Sequence, residues 1–144
     1  QSDIVYSNSF EWLSNFNDFN NTLIATKNLL KNDGIFILDI VNKEIFKKTL
    51  KTYYGSYFFN NSIYYKNTLY QNLENDKYKI NQTYVCVELK YNKAYTYSGF
   101  FNYMLLNLDT VKESLITHGF TVINIFNTYD TTNYDRLQIV CKKL

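Results

Sequence analysis

Proline is absent from the 144 residues, and glycine occurs only four times, at Gly34, Gly55, Gly99 and Gly119. No two of these glycines form a G-x-G, so the chain holds no glycine-rich strand-to-helix turn for the backbone to close onto a nucleotide-type ligand. Cysteine is scarce too. Cys86 and Cys141 match no metal or redox spacing, and both sit in apolar, strand-like runs, as small core residues of a reducing compartment do. His118 is the single histidine; no Cys/His/Asp cluster suggests a metal, and no nucleophile–base pair can be assembled. No apolar run approaches a membrane span and no charged-then-apolar leader is read, so the expected location is cytoplasmic.

What is present is ordinary in bulk and unusual in kind. Hydrophobic residues make up 46% and charged residues 19%, which suits a folded domain able to bury a core. The polarity comes from Asn, Lys and Tyr, beside many Phe and Ile, a bias that an AT-rich genome produces. A Tyr/Lys surface for stacking on nucleic-acid bases is the functional alternative. A net charge of +2 lacks the basic stripe that such binding uses, so neither nucleic acid nor membrane is an expected partner.

Along the chain, Asp3–Tyr6 is a short apolar run ending in Ser7-Asn8-Ser9, the pattern of a strand buried on both faces. A helix is expected from Asp18 to Lys31, with Phe19, Leu23, Ala25, Leu29 and Leu30 near one face. Asn17 or Asp18 would cap it and Gly34 would close it. Ile35–Ile40 then forms a second continuous strand, completing a βαβ unit whose strands run parallel. Lys43–Lys51 reads as a short helix.

From 53 to 106 the period becomes two, and three antiparallel strands are expected near 63–72, 78–90 and 94–106. Turns fall at Leu73–Lys77 and Tyr91-Asn92-Lys93. Thr110 and Glu113 make a capping box for a further helix, with Asp109 at its start, Val111 and Leu115 inward, and Gly119 as its stop. Strands Thr121–Phe126 and Arg136–Cys141, joined without a helix, should be antiparallel to each other.

Four segments carry a family resemblance: Asp3-Ile4-Val5-Tyr6-Ser7-Asn8, the run Leu29–Ile40, Gly119-Phe120-Thr121-Val122, and Arg136–Lys143. In order and spacing they resemble the C-terminal half of class I S-adenosylmethionine-dependent methyltransferases, with Asp33 standing where that family has a first glycine. The resemblance implies an α/β fold: the C-terminal half of a Rossmann-like methyltransferase sheet over 1–52 and 107–144, with an antiparallel β insertion over 53–106. It implies S-adenosylmethionine as cofactor and methyl transfer to a small-molecule acceptor. The glycine-rich cofactor motif is missing, so this chain alone should bind the cofactor weakly and be inactive. Asp3–Ser7 would present an unpaired edge, to be covered by the N-terminal half of the same enzyme or by another subunit.

Ligands of open α/β sheets lie beyond the carboxyl ends of the parallel strands. By resemblance, Asn8, Ser9 and Phe10 are the expected cofactor-binding residues. Phe10 and Trp12 suit a cationic sulfonium, at about 0.5–2 kcal/mol per contact; Trp12, Asn42, Tyr57 and Tyr64 are the expected substrate-binding residues. Asp39 interrupts an apolar strand at its ligand-facing end and is the expected catalytic residue, orienting the acceptor or taking its proton. His118 sits at a helix C-terminus, where a charge–dipole role fits. The tyrosine-rich insertion would shape an acceptor pocket or join a homodimer. Two other readings compete: a non-catalytic partner-binding subunit, and an RNA or cap methyltransferase.

Overall fold

The computed structural model describes the chain apart from residues 9, 11, 12, 14, 50–52, 75 and 130–134, and apart from the side chains of 49, 53, 128, 129 and 135. It divides into two compact units, residues 1–49 with 104–144, and residues 50–103.

The first unit runs β1 (Ser2–Ser7), α1 (Phe16–Leu29), β2 (Leu30–Val41) and α2 (Lys43–Thr49), then α3 (Leu108–Thr117), β7 (Phe120–Tyr129) and β8 (Asp135–Lys143). Its sheet has the order β1-β2-β8-β7. β1 and β2 are parallel neighbours, Ile4 opposite Ile35 and Ser7 opposite Leu38. β8 is antiparallel to both β2 and β7.

Alternation along these strands makes two different faces. Phe36, Leu38 and Ile40 of β2 and Leu137, Ile139 and Cys141 of β8 point to one side, where they join Phe19 and Leu23 of α1 and Val111 and Leu115 of α3 in a single core. Each such side chain stabilises the fold by about 1.5–3 kcal/mol relative to exposure. Ser114 of α3 also donates to the Asn20 carboxamide of α1 at 2.5 Å, tying the helices together. The opposite face carries Tyr6, Ile37, Asp39, Gln138 and Phe126, of which Tyr6 and Phe126 are exposed.

The ends of α1 differ from expectation. Asn15, not Asn17 or Asp18, is the cap, its side chain accepting from the Asp18 N–H at 3.0 Å; Asp18 then lies in the first turn, where its charge suits the helix dipole. Ala25 and Leu29 face outward and Thr26 is buried, because the inward row is Phe19, Leu23, Thr26 and Leu30, at the i, i+4, i+7, i+11 spacing of one face. The helix stops at Leu29 by passing directly into extended chain, so Gly34 is not its stop. Its terminal carbonyls are met from afar: the buried ammonium of Lys143 donates to Lys27 O at 2.8 Å and Leu30 O at 2.7 Å.

Gly34 has another purpose. The β1–β2 register slips between Ser2 opposite Leu30 and Ile4 opposite Ile35, and the extra residues form a bulge. Asp33 there takes a φ of 62°, the left-handed conformation that glycine adopts at least cost and that Asp tolerates. A Cβ at Gly34 would lie 2.9 Å from the Lys31 carbonyl oxygen and 3.3 Å from that of Asp3. Glycine lets β1 come that close.

α3 begins three residues earlier than a Thr110 cap would allow. Asn107 is the cap, accepting from the N–H groups of Asp109 at 2.9 Å and Thr110 at 3.4 Å, so the expected capping box is not used. Its other end is as expected: Gly119 at φ 81° stops the helix.

The second unit is an antiparallel sheet of four strands rather than three, β3 (Tyr53–Phe59), β4 (Ser62–Asn72), β5 (Lys77–Glu88) and β6 (Lys93–Met104), in sequential order. The strand not anticipated is β3. Its hairpin to β4 turns on Asn60 and Asn61, both at positive φ (47° and 57°), the two-residue turn that matches strand twist.

Candidate functional site

β1 and β2 point their carboxyl ends the same way. Asn8 follows the last paired residue of β1, Ser7 opposite Leu38, and so lies level with Asp39; it is exposed. Asn42 follows β2 and caps α2, its side-chain oxygen accepting from the Glu44 N–H at 3.2 Å and the Ile45 N–H at 3.4 Å. It also lines an open cleft of about 490 Å³, with Asn107, Asn127 and Lys43 around an apolar floor of Leu106, Ile125 and Leu137.

Asp39 is 5% exposed. Its carboxylate is ion-paired with the Arg136 guanidinium Nε. Gln138 Nε2 and the Tyr6 hydroxyl each donate to Oδ2 at 3.3 Å. The register explains the cluster: Gln138 stands directly opposite Asp39 on β8, Arg136 opposite Val41 is one diagonal away, and Tyr6 opposite Ile37 is the other. Partial desolvation, then the Asp39 carboxylate, push the Tyr6 phenol above the ordinary tyrosine value. A carboxylate with three donors in place is built to hold groups in position; its lone pairs are largely committed.

The residues named from sequence therefore divide. Asn8, Asp39 and Asn42 share the carboxyl end of the parallel pair. Phe10 is buried at 3%, its ring edge-on to Phe19 with centroids 5.3 Å apart, so it is a core residue and its ring is not free to wall a cofactor. Ser9 and Trp12 lie outside the described residues. Tyr57 and Tyr64 belong to the second unit, where they stand opposite each other on β3 and β4 and stack at 5.0 Å with an interplanar angle of 7°. His118 closes α3, its ring Nδ1 2.7 Å from the Ser114 carbonyl oxygen. Tyr6, Arg136 and Gln138 join Asp39 only through the fold. The signal for the last two was the alternation in Arg136-Leu137-Gln138-Ile139, polar residues at period two inside an otherwise apolar strand.

Among the described residues no group of three or more His, Cys, Asp or Glu could hold a metal ion, and no helix is long and apolar enough to cross a membrane. No protein-family model matches the sequence, and no curated protein sequence matches it. Solved structures do match. A S-adenosylmethionine-dependent methyltransferase from Clostridium acetobutylicum aligns over 98% of this chain and 58% of its own, with a TM-score of 0.75 at 14% identity. CalS10, an amino pentose methyltransferase from Micromonospora echinaspora, aligns over 99% of this chain and 58% of its own, with a TM-score of 0.76 at 9% identity.

The chain has a methyltransferase fold.

The sugar N-methyltransferase KedS8 from Streptoalloteichus sp. shares it, with a TM-score of 0.66 at 10% identity over 95% of this chain and 55% of its own. The chain thus spans less than three fifths of these structures. Asn8 offers an exposed carboxamide at the end of β1, and the 144 residues hold no G-x-G loop.

Proposed function

We propose that this chain takes part in S-adenosylmethionine-dependent methyl transfer to a small-molecule acceptor, with the cofactor site completed by further polypeptide. That polypeptide is the N-terminal half of the same enzyme or another subunit, pairing along the edge of β1. The observation that carries the reading is the parallel β1–β2 pair, whose shared carboxyl end gathers Asn8, Asp39 and Asn42 in a fold that matches solved methyltransferases over nearly the whole chain. Two of the matched structures are methyltransferases of sugars by description, which favours a small polar acceptor over a macromolecule.

When bound, the cofactor supplies a methyl group already activated on a sulfonium. The protein is then left with positioning and the exclusion of water. Asn8 would hydrogen-bond the cofactor from the end of β1. Asp39, fixed by Arg136 and Gln138, would hold the acceptor side of the site in register. Asn42 would line the acceptor cleft.

The test is titration of S-adenosylhomocysteine into this chain alone and into the chain assembled with the polypeptide that completes it. Saturable binding is expected only in the assembly, and Asn8→Ala should weaken it there about tenfold, the worth of one well-placed hydrogen bond. Equal binding with and without the completing polypeptide would sink the divided site, and no binding in either would sink the methyltransferase reading.

A further inference from the structure

We infer that Tyr6 is a specificity-determining residue of this site, selecting ligands that bring a hydrogen-bond donor, an alcohol or amine, over analogues that have lost it. The inference rests on reading the carboxyl end of β1 and β2 as the ligand end.

A tyrosine hydroxyl has one proton to give and lone pairs to receive with. Here the proton is committed: Tyr6 Oη donates to Asp39 Oδ2 at 3.3 Å. The Asp39 carboxylate is ion-paired with the Arg136 guanidinium, and Gln138 donates to the same Oδ2 that receives the Tyr6 proton. The phenol cannot reverse its bond without facing that carboxylate lone pair to lone pair. The Gln138 carboxamide is also a hydrogen-bond donor to the Tyr6 oxygen, so what Tyr6 shows to anything else is its remaining acceptor lone pair alone. Tyr6 as a residue is 52% exposed at the penultimate position of β1, so a ligand at the strand end can reach it.

A hydroxyl or amino group meets that oxygen with an N–H or O–H; a methyl ether does not, and a carboxylate or phosphate is repelled. For the proposed reaction this is selection in a useful direction. An alcohol acceptor is recognised, and its O-methyl product, with the donor gone, is released.

The experiment uses this chain with tyrosine 13Cζ-labelled and follows the Tyr6 resonance, assigned by its loss in Tyr6→Phe. Cyclohexanol and cyclohexyl methyl ether are the probes, matched in ring and differing in the donor. Cyclohexanol should shift the Tyr6 signal saturably and bind about tenfold more tightly than the ether, as a single unmatched hydrogen bond predicts. Ligand-observed saturation transfer on Tyr6→Phe should show the two probes within about twofold of each other, because the receiving oxygen is gone. Equal affinity in the parent, no shift of Tyr6 with either probe, or discrimination surviving in Tyr6→Phe would each overturn the inference. S-adenosylhomocysteine titration into the chain assembled with the polypeptide that completes it separates the two readings: binding of that ligand with an indifferent Tyr6 defeats the inference alone. Donor selection without such binding defeats the methyl-transfer reading alone.

Discussion

At the scale of single residues, two charged side chains do what a neutral one could not. Lys143, 8% exposed, places its ammonium on two carbonyls at the end of α1, joining the final strand of the sheet to the first helix. Lys143→Met should lower the unfolding free energy by about 1.5–3 kcal/mol, the range for hydrogen bonds to a charged group. Lys31→Met should cost at most about 1 kcal/mol, since its pair with Asp3 is exposed on both sides. Urea unfolding of the two variants decides, and equal losses would remove Lys143 from its capping role. Asp39 poses a sharper case. Asp39→Ala strips the Arg136 guanidinium of its carboxylate in a buried setting, and a loss of about 3–5 kcal/mol is expected in the same measurement. A loss below about 1 kcal/mol would mean the pair behaves as a solvated one.

At the scale of elements, caps and turns decide boundaries, and these were the least legible features. Thr110 and Glu113 have the spacing of a capping box, yet Asn107 has the extended backbone and the free side-chain oxygen in the right place, and the helix starts there. Asn107→Ala should therefore cost about 1 kcal/mol, while Thr110→Ala stays within about 0.5 kcal/mol. Thermal unfolding of the pair reads the order directly, and the reverse order would restore the capping box. The missed strand β3 has the same origin. Asn60-Asn61 is a turn signal of the kind that fixes a two-residue hairpin, but in so asparagine-rich a chain it does not stand out from its surroundings. The long strands and helices were legible because their apolar periods persist for several residues; a cap or a turn rests on one or two side chains.

At the scale of the whole molecule, the core sets a limit on alkaline stability. Burial pushes the Cys141 thiol up from 9.0 to about 12. The folded state thus keeps a proton that the unfolded chain releases above 9.0, so the unfolded state binds fewer protons in that window and stability falls as pH rises. The contribution is complete below 9.0 and is lost progressively up to about 12. Cys141→Ala should flatten the decline measured between those values, and an unchanged slope would show that Cys141 does not titrate on unfolding. The same burial should keep Cys141 unreactive to thiol reagents until the protein unfolds.

The sequence by itself determined the βαβ unit, the change to a two-residue period in the middle, the return to helix and strand, and the antiparallel closing pair. Each follows from local periodicity, which survives without knowledge of neighbours. It also placed Asn8, Asp39 and Asn42 at one end of a sheet, because strand direction and strand ends are local once two strands are known to be parallel. Only the tertiary structure decided what Asp39 touches, that Phe10 belongs to the core, that Gly34 serves a close approach of strands and not a helix end, and that Lys143 caps a helix 113 residues away. Those outcomes depend on which residues stand opposite one another across β1, β2 and β8, and register is a property of the assembled sheet, invisible to any one segment.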